Sequence, residues 1–452
     1  MRLRFIGCIV FGMARVLLAE EFDPLGTQAL LPKHQASFVT CTTTDLHTSL
    51  GLSDVVMAAL CNNPQTKIAW QTSLYQAALV GVSKSEYLPT LSASGSVLKS
   101  ESSETKNGNQ ENISVTLSYL LYDFGKRDAT YDNARALLDA ALFSENDTIQ
   151  SVFLSAIQAY YTLFGSNASL SASLEAERSA LESLNAAKTR YTVGTATPAD
   201  ALQAQTAYSQ AVLNRIQAEG SVKSAQGELA SVLGMMPDTT LQLQTPRLAI
   251  PNESFEQNIR SLMEEAQRLR PDLMEAGAKI KAAEANIRAA KADNMPSFSL
   301  SATSGNTDTV FNTSQRSSSI GLYVTIPIFT GYNTKYKVQA AQQQLKINEA
   351  QYDKLSQDAN LDVYKTYQTL ISQTQATRTS IDLVASAQAS YDLALGRYKA
   401  GVGTILDLLT AQSALASAKQ QYIQSLYNWY ITKASLAKAM GSLDFSTIKG
   451  QP

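Results

Sequence analysis

Two aspartates are the residues of this chain best placed to do chemistry. Asp200 and Asp407 stand 207 positions apart, each closing a copy of one turn. The first copy reads Arg190-Tyr191-Thr192-Val193-Gly194-Thr195-Ala196-Thr197-Pro198-Ala199-Asp200, and the second Arg397-Tyr398-Lys399-Ala400-Gly401-Val402-Gly403-Thr404-Ile405-Leu406-Asp407. A carboxylate on the first turn of a helix stabilises the positive end of the helix dipole. What it lacks here is a partner for acid–base or nucleophilic work. The only histidines, His34 and His47, lie in an irregular polar stretch near the start. No Cys/His cluster has metal-ligand spacing. Gly401-Val402-Gly403 is a lone Gly-x-Gly without the rest of a phosphate-binding fingerprint, so it reads as a turn. The residues form no catalytic constellation, so no enzyme activity, cofactor or metal is expected.

The elements that position the aspartates are themselves repeated. At the same shift, Leu202-Gln203-Ala204-Gln205 faces Leu409-Thr410-Ala411-Gln412, Leu233-Gly234 faces Met440-Gly441, Pro89 faces Pro296 and Pro64 faces Pro271. The chain is a duplicated unit of about two hundred residues, far longer than a solenoid repeat.

Ser53-Asp54 offers an N-cap, and a helix runs to about Tyr87 with a break at Asn62-Asn63-Pro64. A hairpin follows over 89–122. Leu91, Ala93, Gly95 and Val97 alternate with Thr90, Ser92, Ser94 and Ser96, and are answered by Ile113, Val115, Leu117, Tyr119 and Leu121. The hairpin therefore has one apolar and one polar side. From Lys126 to Val193 there is no proline, which allows a helix on the order of 100 Å long. Leu142, Ile149, Ala156, Leu163, Leu170, Leu184 and Tyr191 fall on one seven-residue series. Phe153, Tyr160, Leu174 and Leu181 fall on its neighbour, giving the two seams of a coiled coil. Pro198 opens the return helix to about Leu233. The second copy repeats this order, with a hairpin over 296–328 and a long helix from about Tyr332 to Ala400. The divisions read from sequence are a leader over 1–19, an irregular segment over 20–52, the first repeat over 53–234, an insertion over 235–272, the second repeat over 273–441 and a tail over 442–452.

The net charge of −2 with scattered Lys and Arg leaves no electrostatic footprint for nucleic acid. A basic start followed by the apolar run Phe5 to Ala19 reads as a secretory signal. Its removal leaves Cys41 and Cys61, an even pair in an oxidising compartment. They are expected to form a disulfide, the alternative being two separate buried thiols.

Each copy supplies two strands, so one chain supplies four. Four strands with one apolar face cannot close a barrel, and an open edge cannot sit in lipid. Either the apolar faces pack on something soluble, or several chains pool their strands. Aromatics gather where the hairpins meet the helices, at Tyr87, Tyr122, Phe124, Phe329 and Tyr332. They suit either a girdle at a membrane surface or the cap of a soluble hairpin core.

The order helix, hairpin, long helix, turn, helix, twice over, resembles the TolC family of trimeric outer-membrane efflux and secretion channels. The resemblance covers about Ser53 to Gly441. Its motifs are Leu121-Tyr122-Asp123-Phe124-Gly125-Lys126-Arg127, Pro327-Ile328-Phe329-Thr330-Gly331 and the two Tyr-x-x-Gly turns with their downstream aspartates. It implies a mainly α fold with β: a long antiparallel coiled-coil helical barrel, with four strands per chain contributing to a trimeric twelve-stranded outer-membrane β-barrel. It implies that 235–272 and the tail form an equatorial layer. It also implies a homotrimer in the outer membrane of a Gram-negative bacterium, with a large periplasmic part, partnered by a periplasmic adaptor and by an inner-membrane pump or ABC exporter. By the same resemblance, Val193-Gly194-Thr195 and Ala400-Gly401-Val402 are adaptor contacts, and Asp407, Asp200 and Tyr398 sit at gate positions. A hydrogen bond from the Tyr398 hydroxyl to the Asp200 carboxylate would hold the closed state. Two departures remove charge from that gate: Thr410 stands where a second aspartate is expected, and Gly403 where an arginine is. The rival reading is a soluble periplasmic scaffold whose coiled coils bind partners, with the hairpins as packing elements.

Overall fold

The computed structural model describes residues 23–31, 49–100, 108–246, 248–249, 258–309 and 314–445. The leader over 1–19, His34, His47 and Cys41 lie outside the described residues. Cys61 is disulfide-bonded, and its pairing with Cys41 is likewise outside them.

The first copy consists of α1 (Leu52–Asn62), α2 (Pro64–Ser85), β1 (Thr90–Ser100), β2 (Gly108–Tyr122), α3 (Lys126–Thr192) and α4 (Pro198–Val232). The second consists of α5 (Ile259–Leu269), α6 (Pro271–Ala292), β3 (Ser297–Thr309), β4 (Ser314–Thr325), α7 (Asn333–Lys399) and α8 (Ile405–Ala439). Each of the four helices in the first copy has a counterpart of equal length, displaced by 207 positions. The second copy therefore opens at Ile259, inside the 235–272 stretch read from sequence as an insertion. Pro271 marks the break within a helix pair, as Pro64 does in the first copy, because proline suits the first position of a helix and cannot continue one. The two long helices are 67 residues each, about 100 Å at the standard rise.

By contacts the chain forms two compact units. One gathers Gln71–Phe143 and Glu275–Asp353 with an N-terminal piece, and holds the sheet. The sheet has the order β1-β2-β3-β4, antiparallel throughout, so β1 and β4 are its edges. Its register aligns like with like. Leu91 pairs with Leu117, Leu117 with Ala302 and Ala302 with Ile320 on one face, while Ser92, Thr116, Thr303 and Ser319 form a row on the other. On the polar face Ser94 and Ser114 hydroxyls meet at 2.9 Å and Thr116 and Thr303 at 3.2 Å. The apolar face is bare, with Leu91 71 %, Ile320 75 % and Leu322 62 % exposed. β4 stops at Thr325, short of Ile326 and Ile328, because Pro327 has no N–H to give to a ladder. In this unit Ala77, Val80, Ala134 and Leu138 form a small core where α2 meets α3.

The other unit gathers Ala36–Trp70, Ser144–Met274 and Lys354–Pro452. Its main core joins Val55 and Val56 of α1, Phe153, Tyr160 and Tyr161 of α3, Leu229 of α4 and Tyr430 of α8. Tyrosines also tie down the segment after α4. The Tyr160 hydroxyl donates to the Gln244 carbonyl at 2.8 Å, and the Tyr430 hydroxyl donates to the Ala249 carbonyl at 2.9 Å. Leu50 exchanges backbone hydrogen bonds with Gln242 and Gln244 beside them. The seams read along α3 are only partly closed within the chain: Phe153, Ala156, Tyr160 and Leu184 are buried, whereas Leu174, Leu181 and Tyr191 are exposed.

The paired glycines after α4 and α8 explain the Leu-Gly and Met-Gly landmarks. Gly234 (φ +70°) and Gly441 (φ +75°) close their helices in the same way. The glycine N–H reaches back three residues and the next N–H five, which satisfies the last carbonyls. Both glycines abut the break in a helix pair. A Cβ on Gly234 would lie 2.6 Å from the Asn62 carbonyl oxygen, and one on Gly441 2.7 Å from Arg270 backbone. Gly441→Ala is expected to destabilise the fold by about 3 kcal/mol, the left-handed backbone and the displaced neighbour both contributing. Thermal melting checks it: an unchanged midpoint means the two elements move apart freely.

Candidate functional site

Two regions carry the residues singled out from sequence: the helix-hairpin tips, and the collar where the sheet meets the helices. At each tip the long helix ends on a left-handed glycine, Gly194 (φ +79°) or Gly401 (φ +80°). The carbonyls of Arg190 and Arg397 are recaptured there by the N–H groups of Thr195 and Val402, at 2.9 and 3.1 Å. The return helix then opens with a reciprocal cap. Asp200 N–H donates to Thr197 Oγ1, and Thr197 N–H donates to Asp200 Oδ2 at 2.8 Å. Thr404 and Asp407 make the same pair, at 3.1 and 3.4 Å. Both aspartates are thus first of all helix caps. Asp407 also stays exposed, with Thr410 beside it one turn on. Val193, Gly194, Thr195, Ala400, Gly401 and Val402 are all exposed at the turns.

The expected Tyr398–Asp200 hydrogen bond is not made. The Tyr398 hydroxyl is buried without a hydrogen-bond partner among the described residues, and the Asp200 carboxylate is turned to its own cap. Tyr398 is held instead by Arg190. The Arg190 Nη1 donates to the Tyr398 carbonyl at 2.9 Å, and its guanidinium lies 4.8 Å from the ring centroid. Burial pushes the Tyr398 phenol above its ordinary value, helped by the Asp200 charge and opposed by Arg190. A cation on the last carbonyls of a helix is favourable both as a cap and against the dipole. Arg190 opens the repeated turn motif, so its recurrence at Arg397 was the available signal. Gly403 fits closely: a Cβ there would lie 3.0–3.1 Å from Tyr398 N and from Arg397. A side chain at that position needs its neighbours to give by a few tenths of an ångström; the equivalent position of the first copy holds Ala196.

The collar is built on strained aromatics. Among the described residues only Phe124 (φ +54°) and Tyr332 (φ +64°) are non-glycines with positive φ. They sit in matching dipeptides, Phe124-Gly125 and Gly331-Tyr332, with the glycine and the aromatic exchanged. A bulky residue in this conformation is a real outlier and needs surrounding structure to hold it. Tyr122 packs edge-on to Phe124 at 4.7 Å and Phe329 to Tyr332 at 5.5 Å, all four rings remaining exposed. Tyr87 departs from the set. It is half-buried, its hydroxyl donates to the Asp128 carboxylate, and the Arg127 guanidinium stacks 5.0 Å from its ring. It is a strut between α2 and α3.

Beneath the first pair lies a polar strap missed in the sequence. β2 bulges between Leu120 and Tyr122, so that Tyr122 takes the place opposite Phe298 that alternation assigns to Leu121. Buried Arg127 donates to the Leu120 carbonyl (Nη1, 2.7 Å) and the Leu121 carbonyl (Nη2, 3.2 Å), and is paired with buried Asp123. The Asp-x-x-x-Arg spacing, one helical turn, was the signal. In the second copy the same positions are Thr330 and Thr334, whose hydroxyls lie 3.4 Å apart. Among the described residues no three His, Cys, Asp or Glu side chains come together as a metal site, and no helix is long and apolar enough to cross a membrane.

With this geometry in view, comparison with known proteins is informative. The family model described as outer membrane efflux protein matches twice, over residues 55–235 and 262–442. The two matches are displaced by the same 207 positions as the helices. Protein CyaE of Bordetella pertussis is 31 % identical over 410 residues, covering 89 % of this chain and 86 % of that protein. Outer membrane protein TolC of Escherichia coli is 24 % identical over 420 residues, covering 87 % and 82 %. In fold, the chain is similar to the outer-membrane channel OprN, with a TM-score of 0.78 at 20 % identity over 86 % of this chain and 90 % of that one.

Proposed function

The chain belongs to the outer membrane efflux protein family, and from that premise we propose that three copies assemble into a passive exit duct. The observation that carries this reading is the sheet: an apolar face left bare, a polar face opposite, and two unpaired edges. Three such sheets joined edge to edge give a closed cylinder of twelve strands, with the apolar side toward lipid and the Ser/Thr rows toward water. The strands are 11–15 residues long, enough for a tilted crossing of a bilayer. The exposed rings of Tyr122, Phe124, Phe329 and Tyr332 form the girdle at one lipid boundary, where amphipathic aromatics are favoured. The soluble-scaffold alternative does not fit a member of this family.

The tips form the periplasmic entrance, with Asp407 and Thr410 at its mouth. The exposed turns Val193-Gly194-Thr195 and Ala400-Gly401-Val402 are the surfaces offered to a periplasmic adaptor, because their glycines let another backbone approach. Energy comes from an inner-membrane pump or ABC exporter; this chain moves cargo without catalysis.

Reconstitution in planar bilayers tests the reading. The protein is expected to give discrete conductance steps that divalent cations block from the side of the tips. Asp407→Asn is expected to weaken that block severalfold while sparing the fold, since the asparagine side-chain oxygen can still accept from Thr404 N–H. Steps blocked equally in parent and variant would remove Asp407 from the mouth, and a protein that never conducts would defeat the duct.

A further inference from the structure

The internal repeat makes a comparison within one chain that identifies a contact between chains. Tyr398 is 4 % exposed, in a core cluster with Leu184, Ala187, Ile405 and Leu408, and the Arg190 guanidinium of the other hairpin lies 4.8 Å from its ring. Its counterpart Tyr191 is 48 % exposed, and Arg397, the counterpart of Arg190, is exposed too. Neither Tyr191 nor Arg397 has a side-chain hydrogen bond or ion pair among the described residues. Each copy of the turn thus carries an arginine on one flank and a tyrosine on the other. Joining the two copies in one chain uses one arginine and one tyrosine and leaves the complementary pair open.

The same asymmetry recurs in the unit that holds the sheet. The α6 face containing Ala282, Ala285 and Ala289 is covered by α3, whose Asn133 donates to the Ala282 carbonyl at 2.7 Å and whose Asp132 pairs with Arg288. The matching α2 face, Tyr75, Ala78 and Val82, is open, with Tyr75 and Val82 each 60 % exposed against 3 % for Ala282. The residue of α7 equivalent to Asn133 is Ala340, also exposed. Sizes are therefore exchanged: a tyrosine stands where the closed seam has alanine, and an alanine where it has asparagine. That is the pattern of a second seam built from the same parts with its bulk moved to the other side.

We infer that the occupant of both open faces is a second copy of this chain, whose Arg397 clasps Tyr191 of the partner subunit as Arg190 clasps Tyr398. Its guanidinium stacks on that ring and caps the end of the partner's α3, while its α7 covers the partner's α2. The relation is head to tail, so repetition closes a ring in which clasps within chains alternate with clasps between them. An exposed cation–π contact is weak and strengthens when desolvated, and an adaptor seated on the neighbouring turns would load all of the clasps together. The inference rests on the multi-chain duct proposed above and names the contact that joins its chains.

Paired cysteines test it, using a short bis-maleimide linker on the full-length protein in detergent. The Arg190→Cys/Tyr398→Cys pair is expected to link within a chain, leaving a one-chain band on a denaturing gel. The Arg397→Cys/Tyr191→Cys pair is expected to convert most of the protein into two- and three-chain bands, while parent and single variants stay as one chain. Native mass is measured alongside. An intact assembly whose 190/398 pair links but whose 397/191 pair does not would overturn the clasp and leave the duct standing. A parent protein with no multi-chain species would overturn both.

Discussion

Leu322→Arg is expected to abolish assembly in the outer membrane, whereas Ser301→Arg, on the opposite face of the same sheet, is expected to be tolerated. Leu322 pairs with Leu300, which pairs with Tyr119 in turn, and it is 62 % exposed within the chain. Arginine on the lipid face of a barrel costs about 2–4 kcal/mol near the midplane, and a threefold assembly carries the penalty three times. Ser301 lies between Ser118 and Gly321, with the Tyr323 ring leaning over Gly321 on the same face. An arginine there can extend into a watered lumen. The measurement is the yield of assembled protein in outer-membrane fractions. Equal yields from the two variants would mean that the faces do not divide lipid from water.

Arg127→Ala is expected to lower stability by about 3–5 kcal/mol, the usual effect of removing one partner of a buried ion pair. The variant leaves Asp123 buried without its cation, and the carbonyls of Leu120 and Leu121 without their donors at the bulge. It also removes the stack beneath Tyr87. Adding Asp123→Ala should restore part of the loss, because the orphaned charge goes with it; coupling of this kind is what a double-mutant cycle isolates. Melting of the purified assembly is the readout. Additive losses would show that Arg127 acts only through the carbonyls, and no loss at all that the strap is idle.

What could be read before the structure was known followed from patterns that repeat. Strand alternation gave the hairpins because a period of two is fixed by the pleat. The 207-residue shift placed the tips, since Gly194 and Gly401 must each take a left-handed backbone to turn a helix back. What escaped were features in which one copy differs from the other. The bulge at Leu120/Tyr122 moved Leu121 off its expected face, because an inserted residue resets alternation and a period count cannot see it. The second repeat was read to begin at 273, after Pro271, although Pro271 breaks a helix pair as Pro64 does and α5 (Ile259–Leu269) is the counterpart of α1. Tyr398 was assigned to Asp200 by position, whereas the nearer requirement of Asp200 was its own cap at Thr197. Arg190, whose long side chain reaches the other hairpin, could be seen in the motif but not aimed from it. Seam residues such as Leu174, Leu181 and Tyr191 read as buried and are exposed in a single chain, which fits a sequence written for an assembly.

Whether three chains share one membrane-embedded cylinder is tested most directly by the mass of the detergent-extracted native particle. The expected result is a particle of three chains that needs detergent to stay dispersed. A single chain of mature mass, stable in buffer alone, would contradict it.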